Sequence, residues 1–211
     1  MRPGYIAIEG VIGAGKTTLA KKLARSLAAN LLLEEPDENP FLPRFYRDPE
    51  GAAFSTQLTF LLQRAGQVEQ LQQRDLFTST WVADFMFDKD RLFAELTLGA
   101  ADFALYDAVF QRLALELPRP DCIVHLVGPT DLLMTRIAER GRDYESDISP
   151  QYLQQLAVAY GRYFRSDLAT RVVEVDTALV DFVGNDEDYR AVLDALDGTA
   201  PFERLPRGAL L

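Results

Sequence analysis

The sequence has one cysteine and one histidine in 211 residues, and each scarcity removes a class of chemistry. Cys122 alone has no partner for an intramolecular disulfide, which fits a reducing compartment. His125 alone cannot build a histidine-rich metal cluster and argues against a histidine-based triad. Positive charge is scarce too: 22 Lys and Arg against 32 Asp and Glu leave a net charge of −10. A chain of that balance lacks the broad basic surface that holds a nucleic-acid polymer. No run approaches the roughly 18 apolar residues of a membrane span. The opening MRPGYIAIEG has too short an apolar run for a signal peptide and leads straight into a glycine-rich turn. The expectation is a cytoplasmic protein with neither a membrane nor a nucleic-acid polymer as partner. A small anionic ligand stays open, because a few fixed cations and backbone N–H groups make a positive site on an acidic protein.

What is present forms a core. With 48% of residues hydrophobic and 26% charged, one domain over residues 1–211 is expected. Tyr5 to Glu9 (YIAIE) reads as a strand, GVIGAGKTT as a glycine-rich loop and TLAKKLARSLAAN as a helix. Leu31 to Leu33 is a second apolar run ending in Glu34 and Glu35. Pro36 to Pro49 carries four prolines among charges and aromatics and reads as a long ordered loop. Asp48 then caps a helix with Pro49 at its first position, running from about Gly51 to Gln73. Its apolar stripe is Phe54, Leu58, Leu61, Ala65 and Val68, while Gln57, Phe60 and Arg64, spaced i, i+3, i+7, share an adjoining face. Thr78 to Ala83 is the third strand, with Asp84 at its carboxyl end, and helices follow at Lys89 to Leu98 and Ala101 to Leu117. Ile123 to Val127 is the fourth strand, and Thr130 is placed as the cap of a helix ending at Arg140-Gly141. Ser149-Pro150 opens a helix to about Phe164, Arg171 to Val175 is the fifth strand, and Asp186 to Leu196 the last helix. Strands alternating with helices predict an α/β fold, a five-stranded parallel sheet with helices on both faces.

Gly10-Val11-Ile12-Gly13-Ala14-Gly15-Lys16-Thr17 satisfies G-x-x-x-x-G-K-[ST] between the first strand and a helix. In such a P-loop the glycines let N–H groups curl round phosphate oxygens, and the helix N-terminus favours their charge. Lys16 reaches the β/γ-phosphates and Thr17 offers a hydroxyl to Mg²⁺, with Thr18 grouped as a further nucleotide contact. The motif points to a nucleoside triphosphate and leaves kinase, GTPase, motor and ABC-type ATPase open. No [NT]KxD-like guanine-reading motif is present, and no apolar run ends in the paired Asp-Glu of many ATPases. Phosphoryl transfer to a small acceptor therefore leads. It needs a base at the acceptor hydroxyl, cations over the moving group and an acceptor pocket beyond the carboxyl ends of the strands. Glu34, Glu35, Asp84 and the helix with Gln57 and Arg64 are the candidates there. Arg136, Arg140 and Arg142 precede Asp143-Tyr144-Glu145 and suit a lid, about residues 136–148, that closes over phosphates.

Five segments together resemble the deoxynucleoside kinase family, in particular its bacterial deoxyguanosine/deoxyadenosine kinase branch. They are IEGVIGAGKTTLA (8 to 20), EEPDENPFLPRFYRDPE (34 to 50), FSTQL with Arg64, VADFMFDKDRLFA (82 to 94) and RIAERGRDYE (136 to 145). The resemblance implies a P-loop kinase fold with an Arg-rich lid, ATP and Mg²⁺ as cofactors, and a homodimer. It implies transfer of a phosphoryl group to the 5'-hydroxyl of a purine 2'-deoxynucleoside, giving the 5'-monophosphate for nucleotide salvage. Deoxyguanosine is favoured, with deoxyadenosine or deoxycytidine as other acceptors. By position, Asp84 resembles the family's base, and Glu34, or else Glu35, the acid near the 5'-hydroxyl and the metal. Thr17 and Glu34 are then the metal-facing pair, and Lys16 and Arg140 complete the catalytic set. Gln57 resembles the glutamine that pairs with the base edge and Arg64 a specificity position, with Phe60 beside them. Tyr46 and Glu145 resemble the pair that bonds the 3'-hydroxyl, and Arg136, Arg140 and Arg142 the lid arginines, Arg142 also facing the acceptor. One departure stands out: where many members of the family have an acid-Arg-Ser run this chain has Asp84-Phe85-Met86, so the missing arginine's task is expected to pass to Lys89, Arg91 or a lid arginine.

Plainer roles stand beside these. Asp84 also suits a helix cap, and Arg136 and Arg140 also suit a helix's last turn. Gln57 and Arg64 also suit solvated positions, Tyr46 the packing of its loop, and Asp88 to Arg91 a salt-bridged helix start. His125 and Cys122 read as core residues and the Asn185 run as a solvated cap. Among functions, a thymidylate-type nucleoside monophosphate kinase shares the P-loop, the Asp and the lid but needs further arginines for its acceptor's phosphate. A noncatalytic nucleotide-binding regulatory subunit is the remaining alternative.

Overall fold

Tyr, Ala and Ile in YIAIEG leave strand β1 (Tyr5–Gly10) apolar on both faces apart from Glu9, and all six residues are buried. That is the pattern of a central parallel strand covered on both sides. The computed structural model describes residues 3–69, 80–114, 117–166 and 170–206. In it β1 pairs with β3 (Trp81–Ala83) on one side and β4 (Cys122–Val127) on the other. Beyond them lie β2 (Asn30–Leu32) and β5 (Arg171–Asp176). All pairings are parallel, in the order β2-β3-β1-β4-β5-β6. The sixth strand, β6 (Phe202–Leu205), corrects the five-stranded expectation. FERL carries two charges in four residues and buries only Leu205, so its pattern is too short and polar to signal a strand. Backbone pairing with β5 is what makes it one.

Helix α1 (Lys16–Leu27) begins inside the glycine-rich loop and buries Leu19, Ala20, Leu23 and Ala24. The Pro36 to Pro49 stretch is not a loop throughout. It holds a 3-10 turn (Pro36–Glu38) and helix α2 (Leu42–Arg47), each with a proline in its first turn, where the missing N–H has no intrahelical partner to lose. Asp48 caps α3 (Pro49–Glu69), its Oδ1 accepting the Gly51 N–H at 3.2 Å. The expected continuation of α3 to residue 73 and the start of the third strand at 78 lie outside the described residues, as do positions 115 and 116 of the helix expected over Ala101 to Leu117, and Leu117 itself is not helical. Helices α4 (Lys89–Thr97) and α5 (Ala100–Ala114) precede β4. In α6 (Thr130–Arg140) the cap position is Pro129 and no side chain bonds it, so Thr130 is the first helical residue and not the cap. Gly141 ends that helix at φ 68°, a conformation glycine adopts without penalty. Ser149 Oγ accepts the Tyr152 N–H ahead of α7 (Pro150–Ser166), and Asn185 caps α8 (Asp186–Leu196). Cys122 and His125 are buried in the core. Among the described residues, no helix is long and apolar enough to cross a membrane.

Candidate active site

The carboxyl ends of β1, β2 and β3 open onto one cavity of about 720 Å³. Ile12, Gly13, Gly15, Lys16, Thr17 and Thr18 line one end. Gly13 and Gly15 sit at φ 85° and 95°, and a Cβ on Gly13 would stand 2.6 Å from the Leu133 carbonyl, so the loop turns tightly against α6. Gly10, Val11 and Ala14 do not line the cavity. Instead the Gly10 and Val11 carbonyls accept from Lys16 Nζ at 2.9 and 3.2 Å, and the Ala14 N–H closes a turn on Val11. Burial and the nearby Lys89 ammonium lower the Lys16 pKa to about 8, against the pull of Glu9, Glu34 and Asp84.

Asp84 follows β3 directly and is buried in the same cavity. Its Oδ2 accepts from the Thr17 hydroxyl and its Oδ1 from the Glu34 N–H at 2.7 Å. Burial raises its pKa, and those two hydrogen bonds only partly oppose it. Neither bond goes to a helix-start N–H, so the capping role proposed beside the catalytic one is not what the structure shows.

Glu34, not Glu35, enters the cavity. Arg64 bridges Glu34 to the fully buried Asp90, and Lys89 Nζ donates to Glu34 Oε2 at 2.9 Å. Burial works against the charged form, yet Arg64, Lys89 and Lys16 hold the Glu34 carboxyl well below the usual carboxylate range. Glu35 instead takes a 3.4 Å bond from Gln67. Phe85 and Met86 are buried in the core, and Arg91 pairs with Asp107 outside the cavity. Lys89 is therefore the cation downstream of Asp84 that reaches the site. The sequence carried one sign of this: a lysine in the first turn of a helix opposes the helix dipole.

Gln57, Phe60 and Arg64 are buried on one face of α3 and line the far end, with the Arg64 guanidinium 4.7 Å from the Phe60 ring centre. Tyr46 and Glu145 meet them there, and the Tyr46 ring stacks on Tyr144. Burial pushes the Tyr46 phenol well above its ordinary value. The three lid arginines all line the cavity. Arg136 donates to Thr177 at 3.0 Å, Arg140 grips Glu145 through Nε and Nη2, and Arg142 reaches Asp37 at 3.1 Å. Sequence patterns missed Phe93, Tyr152 and Phe182, whose place in the lining depends on remote packing; Phe182 covers Gly15 from the loop before α8.

Comparison with known proteins gives one answer. A family model described as deoxynucleoside kinase matches residues 6–199. Deoxyguanosine kinase of Bacillus subtilis (strain 168) is 34% identical over 193 residues, spanning 89% of this chain and 93% of the relative. Deoxyadenosine/deoxycytidine kinase of the same bacterium is 27% identical, spanning 90% of each chain. Among solved structures, a deoxyadenosine kinase from M. mycoides with bound products shares the fold at a TM-score of 0.80 and 22% identity, over 92% of this chain and 98% of that one. With the P-loop, Asp84 and the arginine-bearing segment converging as described, the chain belongs to the deoxynucleoside kinase family.

Proposed function

We propose that this protein transfers the γ-phosphoryl group of ATP to the 5'-hydroxyl of a purine 2'-deoxynucleoside, deoxyguanosine favoured, releasing ADP and the 5'-monophosphate. The observation that carries the reading is the bond between Thr17 and Asp84, which brings the triphosphate cradle and a buried carboxylate to one point. Asp84 takes the hydroxyl proton, and its raised pKa moves its proton affinity in the direction base catalysis needs. Because the transition state is loose, positioning and charge neutralisation by Lys16 and the arginines at 136, 140 and 142 carry most of the acceleration. Glu34, kept ionised by Arg64 and Lys89, orients the attacking hydroxyl, and Lys89 supplies the charge of the arginine missing after Asp84. Gln57 and Phe60 meet the base, while Tyr46 and Glu145 meet the sugar.

Mg²⁺ fits this corner. The Thr17 hydroxyl and the Glu34 carboxylate are hard oxygen donors, and among the described residues no cage of three or more His, Cys, Asp or Glu is present. That suits an ion held by one or two side chains and the phosphates themselves. Thr17 and Glu34 would hold it, and when bound it neutralises charge on the β- and γ-phosphate oxygens. The family resemblance extends the reading to one catalytic domain over residues 1–211, acting in the cytoplasm as a homodimer.

A phosphate-bearing acceptor is disfavoured because Arg64 and Lys89, the cations at the acceptor end, are already paired with Glu34 and Asp90. The test is kcat/KM with ATP for the four deoxynucleosides beside dGMP and dTMP. Deoxyguanosine is expected to lead. Turnover of the monophosphates alone would move the protein to the monophosphate kinases, and tight ATP binding without any turnover would make it a noncatalytic subunit.

A further inference from the structure

Glu9 has no exposed surface and stands one residue before the glycine-rich loop begins. Its carboxyl group accepts three hydrogen bonds. The Gly10 N–H reaches Oε2 at 3.2 Å, the Tyr160 hydroxyl reaches Oε2 at 2.8 Å, and the Met86 N–H reaches Oε1 at 2.7 Å. Among the described residues, no Lys or Arg forms an ion pair with it. Burying a carboxyl group this way costs more than burying an apolar side chain of the same size. The compensation lies in what the three donors belong to: the P-loop's first peptide, the segment two residues behind Asp84, and helix α7, which follows the lid.

Tyr160 is itself held firmly. The sheet register aligns Glu9 with His125 on β4, Glu174 on β5 and Arg204 on β6, a polar row across one face. His125 lies against the rings of Tyr160 and Phe164, with centroids 5.7 and 4.5 Å away, and its Nδ1 is 3.4 Å from Glu174 Oε2. The Tyr160 hydroxyl therefore has little freedom to leave Glu9. The row thus ends on the two backbone N–H groups that flank the reacting centre.

We propose that Glu9 is a positioning residue for the phosphoryl transfer: its carboxylate fixes Asp84 against Lys16 and Thr17 by bonding the peptides beside both. The inference rests on the kinase reading above. A glutamine cannot substitute, because its amide has one acceptor oxygen, and whichever way it lies its NH₂ meets an N–H or O–H donor.

The test is a double-mutant cycle of Glu9→Gln with Asp84→Asn, read as kcat by γ-phosphoryl transfer, with ATP and deoxynucleoside affinities measured separately by calorimetry. In the wild-type background Glu9→Gln is expected to lower kcat about 10- to 100-fold, the cost of a small misplacement, with both affinities held within about threefold. In the Asp84→Asn background the same change is expected to cost less than about threefold, since no base remains to be placed. Equal losses in both backgrounds, or a wild-type kcat, overturn the proposal. If Glu9→Gln gives no cooperative melt, Tyr160→Phe removes one donor in its place. A several-fold fall in kcat coupled to Asp84 then supports the proposal, and an unchanged kcat overturns it. Wild-type protein that phosphorylates no deoxynucleoside would instead defeat the kinase reading, so the two failures are distinguishable.

Discussion

Asp84 stands where burial disfavours its charge. A folded pKa raised above the unfolded value of about 4 means the native state binds the proton more tightly than the unfolded chain. The group's contribution is thus most favourable at low pH and declines as pH rises through the folded pKa. Asp84→Asn keeps the shape and removes the charge: its amide oxygen still accepts the Glu34 N–H, and the Thr17 hydroxyl turns to accept from the new NH₂. Its melting temperature is expected above wild type at pH 7, with the difference closing toward about pH 4. Its kcat is expected to fall by about 10²- to 10⁴-fold, the usual worth of a general base, with deoxynucleoside affinity nearly unchanged. Melting curves against pH and initial rates check both, and a variant with wild-type kcat removes Asp84 as the base. Lys89 is argued on the same scale. A lysine buried in the first turn of α4 opposes both solvation and the helix dipole, so its pairing with Glu34 is a functional expense. Lys89→Met is expected to reduce kcat by about 10²- to 10³-fold, of the order measured for other single electrostatic stabilisers, and Lys89→Arg to recover part of it. Equal rates for Met and Arg at this position would show that its charge is idle.

At the scale of elements, the lid is tied to the strand-two loop through one carboxylate. Asp37 accepts from Arg142 and from the Tyr144 hydroxyl, and Tyr144 stacks on Tyr46. Asp37 is exposed, and exposed pairs are worth about 0–1 kcal/mol, so Asp37→Ala is expected to raise the deoxynucleoside KM by no more than about fivefold. Melting temperature should hardly move. A KM change beyond tenfold would mean that Asp37 touches the substrate directly. The elements also show what a sequence conveys. The P-loop, and Gln57, Phe60 and Arg64 on one helix face, were legible because their geometry follows from spacing within one element. Asp84 was legible as the acid at the end of an apolar run. Helix α2 was hidden by prolines that belong to helix first turns, and β6 by a charged four-residue pattern that only pairing with β5 explains. The choice of Lys89 over Arg91 turns on which residue faces Glu34 from another element, and the Glu9–Tyr160 bond joins residues 151 apart. Such contacts have no local signature.

For the whole molecule, a net charge of −10 and an affinity for a triphosphate are reconciled by placement. Lys16, Arg136, Arg140 and Arg142 face one cavity. Arg140 and Arg142 also form ion pairs with Glu145 and Asp37. A phosphate ligand that meets these cations joins loop, lid and sheet. Binding to the folded state alone at about 100 times Kd adds roughly 2.7 kcal/mol of stability. At about 2–4 °C per kcal/mol for a chain of this size, ATP with Mg²⁺ is expected to raise the melting temperature by roughly 5–11 °C. Adenosine at the same concentration, with the ring but no charge, should give a small fraction of that. Because the responsible cations are partly exposed at the lid, 0.5 M salt should shrink the ATP shift more than a Debye length of about 10 Å at 0.1 M already does. Equal shifts for adenosine and ATP, or a shift indifferent to salt, would show that the acidic chain holds its nucleotide by the base and not by this local concentration of positive charge.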